Sequence, residues 1–414
     1  MKLYTNLKSY FINKNFLLYI TSQAISTIGS VVHGVALLWI IYEVTGSAII
    51  MGLSFALQTL PYLILLPFMG TIVDIYNRKS LILFSEIISG VNASLLFLFT
   101  ILGELKLWHI LFYMILSSAI FSVKASTREA ITKDLVNKDE YRRANSIRSF
   151  LLNGIYISMP VVGAYLVTLG EVALCFLINA ISFFIAALLF SKMEYSYQRD
   201  KDITKENFFE NFKKGIRYLG KHYSLLYFMI VFSFINFFIA ADMMLIRILI
   251  SEYGFKANFL GYYEAIQAIG AMVLSFLFSL PIIEKRTTNI NEGVFIIIGT
   301  FSLAGGILLL ALLKDFYLLL LAPFIISSSI AVSNIHFHSR MQKWIPSKLY
   351  GRVISVLFLI SECIQPLGYI FFGVLSDKIH ISQTFLIISI GIAILGVIQL
   401  SLERVISFKK QYSN

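Results

Sequence analysis

Twelve stretches of this 414-residue sequence are each long and apolar enough to cross a lipid bilayer, which limits the fold more than any other feature. Hydrocarbon offers no water to a backbone N–H or C=O, so each stretch must close its hydrogen bonds internally as an α-helix. The runs cover 16–41, 47–73, 80–102, 107–123, 149–169, 172–191, 224–249, 258–283, 293–313, 316–337, 353–375 and 383–402. They predict an all-α membrane protein of twelve transmembrane helices. With 58% hydrophobic and 14% charged residues, the chain is far from the roughly half apolar, quarter charged balance of soluble domains. That excludes a soluble enzyme, a disordered chain and a disulfide scaffold. The two cysteines, Cys175 and Cys363, both lie in apolar runs and form neither a pairing framework nor a metal-ligand spacing. The first run is too long for a signal h-region and lacks a small-residue cleavage site, so it is expected to be a retained helix.

The charge is sided. Of 34 lysines and arginines, 29 fall in the N-terminal tail, the loops after even-numbered runs and the C-terminal tail. Loops after odd-numbered runs are short and hold four: Lys106, Lys256, Lys314 and Lys378. Positive charge stays on the cytoplasmic side of a membrane, so both termini are expected there. The net charge of +11 then needs no nucleic acid as a partner. The wealth of Lys, Asn and Ile fits an AT-rich bacterial genome, in which the expected location of such a chain is the inner membrane.

The longest polar stretch, Ser191 to Tyr223, separates six runs from six. It predicts an N-terminal six-helix bundle over 1–191, a linker over 192–223 and a C-terminal bundle over 224–414. Within the linker, Phe208, Phe209, Phe212, Ile216 and Leu219 recur at helical spacing among lysines, as in a helix lying on the inner membrane surface or a solvated linker helix. The halves correspond. A shift of 209 carries Gly52, Ala56 and Gln58 onto Gly261, Ala265 and Gln267, and Val136 and Arg143 onto Ile345 and Arg352. A shift of 208 carries Leu17-Leu18-Tyr19 onto Leu225-Leu226-Tyr227, and Gly46 onto Gly254. Six-plus-six parallel repeats are the architecture of rocking transporters, with a substrate site near the midplane between the halves.

The loop after the second run reads Gly70-Thr-Ile-Val-Asp74-Ile-Tyr-Asn-Arg78-Lys79. It resembles the signature of the major facilitator superfamily: a glycine, three residues, an aspartate, then a basic pair. Ile75 and Asn77 depart from the common pattern, which carries a basic residue and a glycine there. Gly70 permits close helix approach, and Asp74 can face a helix N-terminus. The resemblance implies that Gly70, Asp74, Arg78, Lys79 and, in the other half, Arg352 form a gating latch. Other stretches resemble the macrolide-efflux type of bacterial exporter, with siderophore exporters close by: Thr45-Gly46-Ser47-Ala48, Leu60-Pro61, Ala144-Asn145-Ser146, Gly215-Ile-Arg-Tyr-Leu219, Gly351-Arg352-Val353, and Pro366-Leu-Gly368 with Ser376-Asp377. They follow family order along the chain. Of the Gly-Pro motif that antiporters often carry in the fifth span, Pro160 and Gly163 are present. The resemblance also implies that spans one, four, seven and ten line the cavity.

Ionisable groups at span depth are costly and by default functional. Six qualify: His33, Glu86, Asp242, Arg247, Glu264 and Glu362. At 1.5 Å per residue, Glu362 lies roughly 15 Å from the inner end of its run, and Asp242 and Glu264 roughly 10–13 Å from the outer ends of theirs. His33 occupies nearly the repeat-equivalent place of Asp242. Glu362, Asp242, Glu264 and His33 are the candidates for proton coupling. The plainer reading makes Asp242 and Arg247 a structural pair, with Glu264 as another partner for Arg247. Glu86 is expected to be structural, paired with Arg128 or Arg148.

The tenth run ends in polar residues, of which Ser329, Ser333 and Asn334 are candidate substrate contacts. His336 and His338 stand two apart, facing different sides of a helix, so no metal site is expected. Trp39, Phe55, Tyr62 and Phe238 are candidates for an adaptable apolar wall. The sequence has no Gly-x-x-x-x-Gly-Lys-Ser/Thr, so an ion gradient is the expected driving force. No clustered nucleophile, acid/base pair or metal set argues for an enzyme. The expectation is a secondary exporter of a bulky amphipathic compound in exchange for protons, with siderophore or metabolite export, or a proton-driven importer, as alternatives. Its partners would be the small substrate, protons and the lipid bilayer, with no cofactor and no obligate protein partner.

Overall fold

The computed structural model describes residues 13–137, 140–195, 208–287 and 290–412, and among them every regular element is a helix. Twelve helices are long and apolar enough to span a bilayer. In chain order the elements are α1 (Lys14–Thr45), α2 (Ala48–Ile75), α3 (Arg78–Ile101), α4 (Leu107–Leu135), α5 (Tyr141–Thr168) and α6 (Val172–Ser191). There follow α7 (Phe208–Lys221), α8 (Tyr223–Glu252), α9 (Asn258–Ser279), α10 (Pro281–Thr287), α11 (Glu292–Leu312), α12 (Phe316–Leu319), α13 (Leu321–Trp344), α14 (Ser347–Ser376) and α15 (Ile381–Tyr412). The short α7 and α10 are not spans, and α12 and α13 together make one, Phe316–Trp344. The all-α, twelve-span class expected from hydropathy is the class adopted.

The chain divides into two compact units, one of residues 1–45 and 57–205, the other of 46–56 and 206–414. In unit one, α1 packs against α5 and α6, and α3 against α4 and α6. In unit two, α8 packs against α14 and α15, α11 against α13 and α15, and α9 against α13. The pairs α1–α5, α1–α6, α3–α4 and α3–α6 therefore recur as α8–α14, α8–α15, α11–α13 and α11–α15. In each unit small residues let the axes approach. A Cβ on Gly163 would lie 2.9 Å from the Val32 carbonyl oxygen, and one on Gly270 would lie 2.7 Å from that of Phe324.

The repeat extends to the helix caps. Asn77 accepts from the Lys79 and Ser80 amides at the start of α3, and Asn291 accepts from the Gly293 amide at the start of α11. The next residue carries a charge in both: Arg78 pairs with Asp134 at 2.7 Å, and Glu292 pairs with Lys343. The pair is kept and its polarity reversed. Asn77, a departure from the family's usual glycine, is thus a helix cap. Gly46 and Gly254, in register under the 208 shift, both sit at positive φ (61° and 72°), where α1 and α8 end.

Two parts of the sequence reading change. The fourth run, 107–123, is part of a helix reaching Leu135. Lys124 and Arg128, counted above with the loop, lie inside that helix, and Lys124 is 6% exposed. The helix carries them at depth because Glu86 on α3 supplies a counter-charge. Helix α7 exists as the spacing indicated, and it packs against α14 and α8 with Leu219 buried.

Candidate functional site

In unit two, the site is a carboxylate with no ion pair among the described residues. Asp242 on α8 is 2% exposed. Its Oδ1 accepts from the Tyr263 hydroxyl at 2.7 Å and its Oδ2 from Gln267 Nε2 at 3.1 Å. Tyr263 and Gln267 stand four apart on α9, so they share a helix face and meet both oxygens of one carboxylate. The expected pairing of Asp242 with Arg247 is not made; neutral donors take its place. Neither donor brings a charge. Arg247 is itself buried.

Glu264, next to Tyr263 on α9, is half-buried and has no hydrogen bond or ion pair among the described residues. Glu362 on α14 is half-buried and accepts from Gln365 on the same helix. One residue before it, Ser361 meets Ser233 of α8 at 3.2 Å, where α8 and α14 touch. The Ser333 side chain and the Ser329 backbone carbonyl lie against Gly299 of α11, and the Ser329 hydroxyl donates to Ile325 O of its own helix. Asn334 is half-buried. Phe237 and Phe238 pack on Phe372, while His336 stacks on Phe295 at 4.2 Å.

In unit one, the site is a charge cluster. Glu86 on α3 is 1% exposed and accepts from Lys124 Nζ at 2.7 Å and Arg128 Nη2 at 3.0 Å. Arg128 Nη2 also donates to Ser26 Oγ of α1 at 3.2 Å. Lys124 Nζ lies over the Phe183 ring of α6, 4.6 Å from its centroid. The partner of Glu86 foreseen from sequence, Arg128, is joined by Lys124, which was not; Arg148 is not among its partners. His33, the repeat counterpart of Asp242, lies between Tyr113 (4.6 Å) and Phe176 (4.9 Å). Both its ring nitrogens are buried with no hydrogen-bond partner. Helix packing against α4 and α6 holds it, not a carboxylate.

At the basic ends of the helices of unit one, Arg78 and the Tyr195 hydroxyl converge on Asp134, while Lys79 Nζ donates to the carbonyls of Ser191 (2.8 Å) and Met193 (2.7 Å). Burial, and then the neighbouring Asp134 carboxylate, hold the Tyr195 phenol well above its ordinary range. Gly70, Asp74 and Arg352 are helical, but their side chains lie outside what is described.

In unit two, Asp377 at the end of α14 caps the start of α2. Its carboxylate accepts from Ser47 Oγ at 2.9 Å and the Ala48 amide at 2.7 Å. Gly373, one turn earlier, lies so close to Ala48 that an added Cβ would be 2.7 Å from its carbonyl oxygen. Sequence reasoning passed over Lys124, Tyr263 and the cap by Asp377. The four-residue spacing of Tyr263 and Gln267 was the signal in the sequence for Asp242's donors.

Comparison with known proteins follows the same lines. The family profile described as "Transmembrane secretion effector" matches residues 9–412. Macrolide efflux protein A of Streptococcus pyogenes is 23% identical over 384 residues, 88% of this chain and 90% of that one. The staphyloferrin A transporter of Staphylococcus aureus is 22% identical, over 98% of each chain. Among solved structures, the nucleoside transporter NupG superposes with a TM-score of 0.76 at 12% identity, covering 93% of this chain and 99% of that one; that likeness concerns the fold alone.

Proposed function

The chain belongs to the transmembrane secretion effector family of the major facilitator superfamily, and on that premise we propose that it is a secondary exporter moving a bulky amphipathic compound outward in exchange for protons. It is a multi-pass bacterial membrane protein and a transporter, not an enzyme. The observation that carries the proposal is Asp242, a buried carboxylate held by the neutral donors Tyr263 and Gln267, with no cation in contact among the described residues.

A proton reaching Asp242 from outside neutralises it while both neighbours remain in place, since a protonated carboxyl still accepts hydrogen bonds and can donate one. Its release to the cytoplasm restores the charge. Glu264, on the helix α9 that supplies both donors, and Glu362, on α14, are the other acids that can relay it. Each proton entering contributes about 2.3 kcal/mol per 100 mV of membrane potential. Alternating access then links the two protonation states to opposite-facing forms, with both termini cytoplasmic and with Gly70, Asp74, Arg78, Lys79 and Arg352 serving the latch.

The test is energised export from inverted vesicles by Asp242→Asn and Glu362→Gln. Both are expected to insert and fold yet to lose accumulation driven by a pH gradient. If both build the wild-type gradient of substrate, the coupling assignment is wrong. The likeness to the staphyloferrin A transporter favours a second reading, export of a siderophore or other metabolite, by the same machinery.

A further inference from the structure

We propose that α2 is a jointed helix. Its first arm, residues 48–56, travels with α14, and its second arm, residues 57–75, travels with α4. A break in the backbone ladder between Leu57 and Pro61 takes up the motion between the arms during alternating access. The inference rests on the assignment as a transporter, and not on the direction of transport or the coupling ion.

The first arm is fastened to α14 by one face of each helix. On α14 the contacts come at Tyr369, Gly373 and Asp377, four residues apart, and on α2 at Ala48, Gly52 and Phe55. Asp377 accepts from the Ala48 amide at 2.7 Å and the Ile49 amide at 3.3 Å. A Cβ on Gly52 would collide with the Tyr369 carbonyl oxygen, and one on Gly373 would lie 2.7 Å from that of Ala48. The Phe55 and Tyr369 rings are 5.4 Å apart. Backbones this close move as one body, because packed interfaces slide or swing but do not stretch.

The second arm is fastened to α4. The Tyr62 amide donates to Ser118 Oγ at 3.1 Å, and the Tyr62 ring lies 5.6 Å from that of Phe121. The attachment therefore passes from α14 at Phe55 to α4 at Tyr62, within two turns. The division of the chain falls in the same place: residues 46–56 belong to unit two, and unit one resumes at Leu57. Among the described helices, α2 is the one that this division cuts.

The weak point of the helix coincides with that handover. Pro61 lies inside α2 and has no N–H, so the Leu57 carbonyl lacks its amide four residues on. The next amide, that of Tyr62, is the one that reaches out to Ser118. Hydroxyls of neighbouring helices serve backbone groups at such breaks inside a membrane. Pro67 makes a second gap, at Leu63, but both residues lie in the second arm and in unit one. It provides the control.

The test uses the full chain in phosphatidylcholine nanodiscs, with Cys175→Ala and Cys363→Ser, and nitroxide pairs read by double electron–electron resonance. The labels sit on cysteines replacing the exposed Leu53, Phe68, Leu169 and Leu312. Leu53 with Leu312 reports the first arm against unit two, and Phe68 with Leu169 the second arm against unit one. Both distributions are expected to be narrow. Leu53 with Leu169, which spans the joint, should be about twice as wide or more. Pro61→Ala restores the missing amide, so the excess width should leave that pair; Pro67→Ala should not change it. Thermal unfolding of each variant runs alongside, and the wild-type comparison decides the matter if Pro61→Ala does not fold. Equal widths in the three wild-type pairs, excess width that persists in Pro61→Ala, or the same loss in Pro67→Ala overturns the joint. The distances are read without substrate or gradient. A failure of proton-driven export therefore leaves the joint standing, and a rigid α2 leaves the export reading standing.

Discussion

Replacing Glu86 by glutamine is expected to be the most damaging single change in the cluster of unit one. Its carboxylate faces Lys124 at 2.7 Å and Arg128 at 3.0 Å. At an effective dielectric near 20, each contact is worth about 6 kcal/mol of gross Coulomb attraction. Most of that offsets the desolvation of three charged groups, and removing one partner of a buried ion pair typically costs about 3–5 kcal/mol net. Glu86→Gln would leave two cations at depth with no acid in the cluster, so the full amount is expected. Lys124→Met should cost far less, about 1 kcal/mol, because it leaves Glu86 and Arg128 matched one to one and keeps an apolar stem on Phe183. Combining the two should recover about 1–2 kcal/mol of the Glu86→Gln loss, since the residues are in contact and not additive. Unfolding by SDS in mixed micelles can be read from the thiol of Cys175, which is 0% exposed, once exposed Cys363 is replaced by serine. A Glu86→Gln chain as stable as wild type, or Lys124→Met proving the costlier change, would refute the reasoning.

Three further outcomes are expected. Gly373→Val should stop export while leaving the chain inserted, because any Cβ there would lie 2.7 Å from the Ala48 carbonyl oxygen; Gly34→Ala, with nothing within 4 Å, should export normally. Accumulation assays on both would expose a mistaken packing if the two behaved alike. Asp377→Ala removes the side-chain acceptor for the Ala48 amide and should cost about 0.5–2 kcal/mol, measured as a lower unfolding midpoint. Tyr263→Phe strips Asp242 Oδ1 of its 2.7 Å donor and should cost about 1–3 kcal/mol. An unchanged midpoint would show that the bond contributes nothing.

The twelve spans were legible in the sequence because each depends on the local run of apolar residues. The repeat was legible too, and Gly46 and Gly254 show why: both end a helix in a left-handed turn that favours glycine. Partners were another matter. Asp242 and Arg247, both at depth in one run, were a plain pairing to expect, yet the donors to Asp242 come from Tyr263 and Gln267 on another helix. Lys124 and Arg128 read as loop charge because hydropathy cannot register a counter-charge 38 and 42 residues away on α3. Likewise, nothing in the order of residues announced that Arg78–Asp134 and Lys343–Glu292 are one feature with its polarity inverted. Hydrocarbon solvation acts residue by residue and writes itself into the chain. Charge compensation acts across helix faces, and helix packing alone decided which side chain completes which charge.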